Sequence, residues 1–422
     1  MKKKKPATLV KLRHRFFTWF ANWFIFRPFW RPFIHYRPAL SHVEARKLIK
    51  GGPYLIVSNH VTALDPVLLT ATLRTPVYFV ASEVIFSMGF VSKLLQHTFS
   101  PIPKSKSMPD ISTVVSMLKI SKEGGNVGVF VEGNVSYTGG LAAMPESIGK
   151  IVKMMKRPLL IFNFHYLYLS SPRWAAKRRR GQAYGAVKRI IAPEEYENLQ
   201  IEEINQLIFK EIDANVYHEP PRAFKTRHMA EHLHRLVFMC PKCGSVGSMH
   251  GHDDLVCSHC GFHAVFDQYG YLTSPEFGKQ TLIEVDKKMK LDYEKFLTKN
   301  PNYVLKLSGR LVMILKKTRK RPGQCDLALD ESGLTFTMTN RKQRGNSEHF
   351  DLEQVMAFAI QGKRRFLFYI RGQYTRMVEF DDDISPYQVL LTMQILKQRD
   401  NFKKGVTSYE LVSNDPRQYL GL

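Results

Sequence analysis

The chain has 422 residues, and 44% hydrophobic and 12% aromatic content marks it as globular, with room for two or three domains. Sixty-two Lys+Arg against 37 Asp+Glu give a net charge of +25, which calls for a polyanionic partner: nucleic acid, an acidic membrane surface or a phosphorylated substrate. Five cysteines exclude a disulfide-rich secreted scaffold, and the absence of a long uncharged apolar stretch excludes a multi-pass membrane protein.

Residues 1–40 carry no Asp or Glu but hold Lys2–Lys5, Lys11, Arg13, Arg15, Arg27, Arg31 and Arg37. Trp19, Trp23 and Trp30 lie among them with Phe16, Phe17, Phe20, Phe24, Phe26, Phe29 and Phe33. The segment lacks the aliphatic h-region and cleavage site of a signal peptide. Its apolar run at 16–26 is too short to span a bilayer, and Arg-Pro steps at 27–28, 31–32 and 37–38 break a continuing helix. It reads as a basic, aromatic anchor on anionic membrane lipid, against the alternative of an aromatic helix packed on the protein's own core.

Residues 53–58 read as a buried strand. After it come Asn59, His60 and, five residues on, Asp65-Pro66, which suggests an N-cap with Pro at the first helical position. His60 then stands at the carboxyl end of a strand, where open α/β sheets bind ligands. An imidazole oriented by a carboxylate is a candidate general base, although a capping Asp beside a satisfied His gives the same spacing. Further strands are expected at 99–104, 126–131 and 158–164, with helical stretches at 60–73, 109–121 and 141–155. This alternation implies an α/β domain with a mostly parallel sheet and flanking helices.

With His60-x4-Asp65, Glu132-Gly133, Ile102–Lys104, Ser171-Pro-Arg-Trp174 and Gly185-Ala-Val in this order, residues 41–225 resemble the PlsC-type glycerolipid acyltransferase family. The resemblance implies that His60 deprotonates an acceptor hydroxyl while Asp65 orients the ring. It implies transfer of a fatty acyl group from acyl-CoA or acyl-ACP to a lysophospholipid-type acceptor such as 1-acylglycerol-3-phosphate. Asn59, Lys104, Glu132, Gly133, Asn134 and Ser136 become the substrate-binding candidates, Lys104 standing where the family carries a phosphate-binding arginine. It places the protein at the cytoplasmic face of a membrane, peripheral or monotopic. The third motif departs from the family's Phe-Pro-Glu-Gly-Thr-Arg-Ser: here it is Phe130-Val-Glu-Gly-Asn-Val-Ser136, with Val135 in place of the arginine. A catalytically silent lipid-binding relative is the alternative. Arg173 and Lys177–Arg180 form a basic run, either solvated or a second anionic contact.

Cys240-Pro-Lys-Cys243-Gly and Cys257-Ser-His-Cys260-Gly are two knuckles thirteen residues apart, a four-cysteine zinc ribbon over 236–270. Four thiolates complete a tetrahedral shell, so the Zn2+ is expected to be structural, and His250, His252, His259 and His263 to lie on the surface. Ribbons also serve nucleic acids, but Cys240–Phe266 holds one Lys against Asp253 and Asp254 and offers phosphates no cationic face, so no nucleic-acid partner is expected. A helical linker follows at 280–299. A β-rich domain at 300–400, closed by a helix at 384–398 and resembling a pleckstrin-homology-like barrel, precedes a tail at 401–422.

Overall fold

The computed structural model describes residues 19–20, 35–87, 89–104, 111–132, 135–141, 144–212, 215–315, 318–341 and 343–403. The chain divides into two compact units, and segments 134–143 and 168–181 group with the second although they lie inside the stretch read as the acyltransferase domain. Most of the expected anchor lies outside the described residues; Trp19 and Phe20 are helical and exposed.

The first unit is built on a seven-stranded sheet ordered β1-β7-β6-β2-β5-β3-β4. Its strands are β1 (Tyr36–Pro38), β2 (Leu55–Ser58), β3 (Val77–Ser82), β4 (Ile102–Lys104), β5 (Asn126–Phe130), β6 (Leu159–His165) and β7 (Ala183–Ile191). The longer helices are α1 (His42–Gly51), α2 (Asp65–Leu73), α3 (Phe90–Phe99), α4 (Ile111–Lys122), α5 (Ser147–Met155) and α6 (Ile201–Glu211). β2 pairs in parallel with both β5 and β6, and all four of its residues are buried. That is why it reads as an unbroken apolar run instead of an alternating one. β3 and β4 continue the parallel set, while β7 runs antiparallel to β6.

Two features differ from expectation. β3, Val-Tyr-Phe-Val-Ala-Ser, fills the gap between two helices and supplies the parallel partner of β5. β1 falls within the stretch read as anchor, yet it pairs with β7 and buries Tyr36. The Tyr36 hydroxyl hydrogen-bonds Thr72 Oγ1 at 2.9 Å, and burial raises its pKa.

The second unit holds a five-stranded antiparallel sheet comprising β8 (Met249–Gly251), β9 (Leu255–Cys257), β10 (His263–Phe266), β11 (Tyr271–Ser274) and β12 (Gly278–Thr281). α7 (Leu282–Lys299) follows, started by a capping box between Thr281 and Glu284. The segment read as a linker is a packed helix: Leu282, Val285, Met289, Tyr293 and Leu297 form a buried stripe. The third sheet contains β13 (Leu305–Leu315), β14 (Thr318–Asp330), β15 (Gly333–Met338), β16 (Ser347–Asp351), β17 (Val355–Gln361), β18 (Arg365–Ile370) and β19 (Thr375–Phe380). Its strands are antiparallel in the order β16-β15-β14-β13-β19-β18-β17, and α8 (Pro386–Lys403) comes after them. Tyr293 of α7 meets Thr392 of α8 at 2.8 Å, and the Tyr387 hydroxyl donates to Asp286 at 2.9 Å.

The basic run is not a solvated stripe throughout. Arg173 and Arg179 are buried. Arg173 donates to the carbonyls of Val135, Ile360 and Gly362. Arg179 lies over the Trp174 and Phe266 rings, 4.8 Å from each centroid, and donates to Met229 O.

Candidate active site and candidate metal centre

The parallel strands β2, β5, β3 and β4 end on one edge of the sheet, and the site residues of the first unit follow from that. His60 comes two residues after β2. Asp65 opens α2 with Pro66 in the first turn, but the N-cap position is Leu64 and makes no side-chain cap. The Asp65 carboxylate turns back into the loop instead. It accepts N–H from Val61 at 2.6 Å and from Thr62 at 2.9 Å, and the Thr62 hydroxyl at 2.7 Å. His60 Nδ1 lies 2.8 Å from Asp65 Oδ2. Asp65 is fully buried while the His60 side chain keeps 23% exposure. An ionised carboxylate accepts only, so Nδ1 carries the proton, and a neutral ring then presents Nε2 as a base.

Two more contacts fix the imidazole. The His60 backbone N–H donates to Glu132 Oε1 at 2.7 Å, which ties the end of β2 to the turn after β5. The ring stacks on Phe130 with centroids 4.4 Å apart, and Phe130 stacks on Phe79 at 5.3 Å. Thr62, Phe130 and Phe79 were not among the sequence candidates; the available signal was an aromatic residue closing β5, next to a strand that itself went unread.

The other candidates distribute unevenly. Glu132 is buried beside His60. Asn59 is also buried, and its amide is committed to β6: Nδ2 donates to Phe164 O and Oδ1 accepts the Phe164 N–H. It acts as a cross-strand tie. Lys104 ends the edge strand β4, exposed, in register with Ser82 of β3. Gly133 and Asn134 lie outside the described residues. Ser136 belongs to the second unit, where its hydroxyl donates to Gly140 O and accepts the Gly139 N–H.

In the second unit the four ribbon cysteines converge. Cys240 Sγ lies 3.7 Å from Cys260 Sγ, Cys243 Sγ lies 3.9 Å from Cys257 Sγ, and all four lie within 4.8 Å of one another. A tetrahedron with Zn–S bonds of ~2.3 Å has edges of about 3.8 Å, so the set fits such an ion. Each knuckle closes by the same bond, Gly244 N–H to Cys240 O and Gly261 N–H to Cys257 O, both 3.0 Å. Both glycines hold left-handed φ values of 71° and 69°.

Residues 40–162, the segment carrying the His60 site, match the Acyltransferase family model. Among solved structures, the chain is similar to the 1-acyl-sn-glycerophosphate (LPA) acyltransferase PlsC from Thermotoga maritima, at 15% identity and a TM-score of 0.32. The alignment covers 37% of this chain and 64% of that one, so the chain spans less than two thirds of PlsC's length. No curated protein matches.

Proposed function

We propose that the first unit transfers a fatty acyl group from the thioester of acyl-CoA or acyl-ACP to the hydroxyl of a lysophospholipid-type acceptor, 1-acylglycerol-3-phosphate or a related lipid. The observation that carries this reading is the 2.8 Å contact between His60 Nδ1 and a buried Asp65, at the carboxyl edge of a parallel sheet. His60 Nε2 takes the acceptor's proton as its oxygen attacks the thioester carbon, and Asp65 stabilises the imidazolium. Collapse of the tetrahedral adduct breaks the C–S bond, and the departing thiolate receives that proton. Lys104, at the same edge, is the proposed contact for an acidic headgroup, acting as a point charge.

The reaction is placed at an anionic membrane surface, on the cytoplasmic face, with the basic aromatic segment 1–34 as the peripheral anchor. Among the described residues no helix is long and apolar enough to cross a membrane. The four-cysteine centre is proposed to hold structural Zn2+. The test is labelled acyl donor offered with a panel of lysolipids. Wild type is expected to acylate at least one of them and His60→Ala none, with zinc content and thermal unfolding unchanged; equal turnover by the two proteins rejects the mechanism.

A further inference from the structure

Between the two ribbon knuckles, the turn joining β8 and β9 carries His252, Asp253 and Asp254. It opens on a cavity of about 480 Å³ in the second unit. Five histidines and four carboxylates line this cavity, and among its described lining residues there is no lysine or arginine. In a chain of net charge +25, such a pocket favours a cation.

Two of the lining residues, His252 and Asp253, meet His228, so that two imidazoles share one carboxylate. His228 Nδ1 lies 2.7 Å from Asp253 Oδ1, His252 Nδ1 lies 3.3 Å from Asp253 Oδ2, and the ring centroids are 3.9 Å apart. Asp253 thus presents one carboxylate oxygen to each ring. A divalent ion uses both rings in their neutral form. One ligand atom from each of the three residues lies within 4.8 Å of the others. Donors held at ~2.0–2.2 Å from a tetrahedral ion stand about 3.4 Å apart, so side-chain rotations of about an ångström close the set. A second observation points into the same cavity. His234 is 8% exposed, its Nδ1 accepts the Gly251 N–H at 3.1 Å, and its Nε2 is buried with no hydrogen-bond partner. Nε2 therefore bears the proton, and His234 groups with His232 and Asp383 of the same lining, one ligand atom of each within 4.8 Å of the others.

We propose that His228, His252 and Asp253 form a second metal site, distinct from the four-thiolate centre, for a divalent transition ion such as Zn2+. Three protein ligands leave it an open position for water or an anion. The test dialyses full-length protein against zinc at low micromolar free concentration and measures metal per chain. Two ions are expected for wild type and one for His252→Ala and for Asp253→Asn, both at exposed positions. A single ion in wild type, or two in both variants, overturns the proposal. Cobalt substitution gives an independent reading. The sulfur-to-cobalt charge-transfer absorption of the thiolate centre should persist in both variants while the weaker nitrogen–oxygen ligand-field bands disappear; bands unchanged in the variants refute the site.

Discussion

Phe79 lies over the bare Cα of Gly128. A Cβ at that glycine would stand 2.5 Å from the Phe79 ring and 2.8 Å from Val77 Cγ1. The consequence runs outward, because the ring that uses this space supports Phe130, which supports the imidazole of His60. Gly128→Ala is expected to cost about 1–3 kcal/mol by overpacking and to lower acyl transfer by more than the folded fraction falls. Adding Phe79→Leu should restore much of the stability but, with no ring under Phe130, not the transfer, read by thermal unfolding and kcat; activity that tracks only the folded fraction would separate the stack from catalysis.

Asp65 offers a sharper division. Asp65→Asn keeps a group able to accept in the loop but removes the charge that stabilises the imidazolium. A fall in kcat of ~10²–10⁴-fold with little change in KM is expected. Asp65→Ala also leaves the Val61 and Thr62 N–H groups without this acceptor, at about 1–3 kcal/mol each where they stay buried. Chemical denaturation should therefore distinguish the two variants, the alanine form being the less stable.

The amino-terminal truncation must respect β1. A protein lacking residues 1–34 is expected to unfold like wild type and to lose sedimentation with anionic vesicles. Removing 1–40 takes Tyr36 and its bond to Thr72 as well, and should cost on the order of 3 kcal/mol. Undiminished vesicle binding by the shorter deletion would exclude the anchor.

Cys257→Ser should abolish the four-thiolate cobalt absorption and destabilise the second unit. Leu233, Leu236 and Val237, just before the first knuckle, are fully buried, so loosening the knuckle exposes core. The first unit's melting transition is expected to stay in place, which calorimetry would resolve.

Acid sensitivity is expected at Asp382. Partial burial works against its charged form, but Arg235, with Nη2 at 2.6 Å, and Arg364 hold its carboxyl below the usual range. A depressed folded-state pKa means that the contribution is present above the unfolded pKa of ~3.9 and is lost as pH falls through the folded value. Unfolding curves of wild type and Asp382→Asn should diverge at neutral pH and converge in acid.

Much of the parallel core was legible because buried strands declare themselves as apolar runs: β2, β5 and β6 lie within a residue or two of their expected spans. β16, Ser-Glu-His-Phe-Asp, carries no such signal, since only Phe350 of its five residues is buried. The pairing of His60 with Asp65 was readable from spacing. The direction of the Asp65 carboxylate was not, because Asp-Pro at a helix start looks the same whether the carboxylate caps the helix or the loop before it. The partners of Asn59 were hidden for a related reason: only the fold shows β6 taking both ends of its amide.

The direction of β1 has a geometrical result. β7 runs against β6, with Tyr184 opposite His165, and β1 runs with β7, Tyr36 beside Ala183. Tyr36, which opens β1, therefore stands on the same rim that holds His60, three strand spacings away, or about 14 Å. The first strand of the sheet therefore opens on the rim of the proposed reaction and not on the far side.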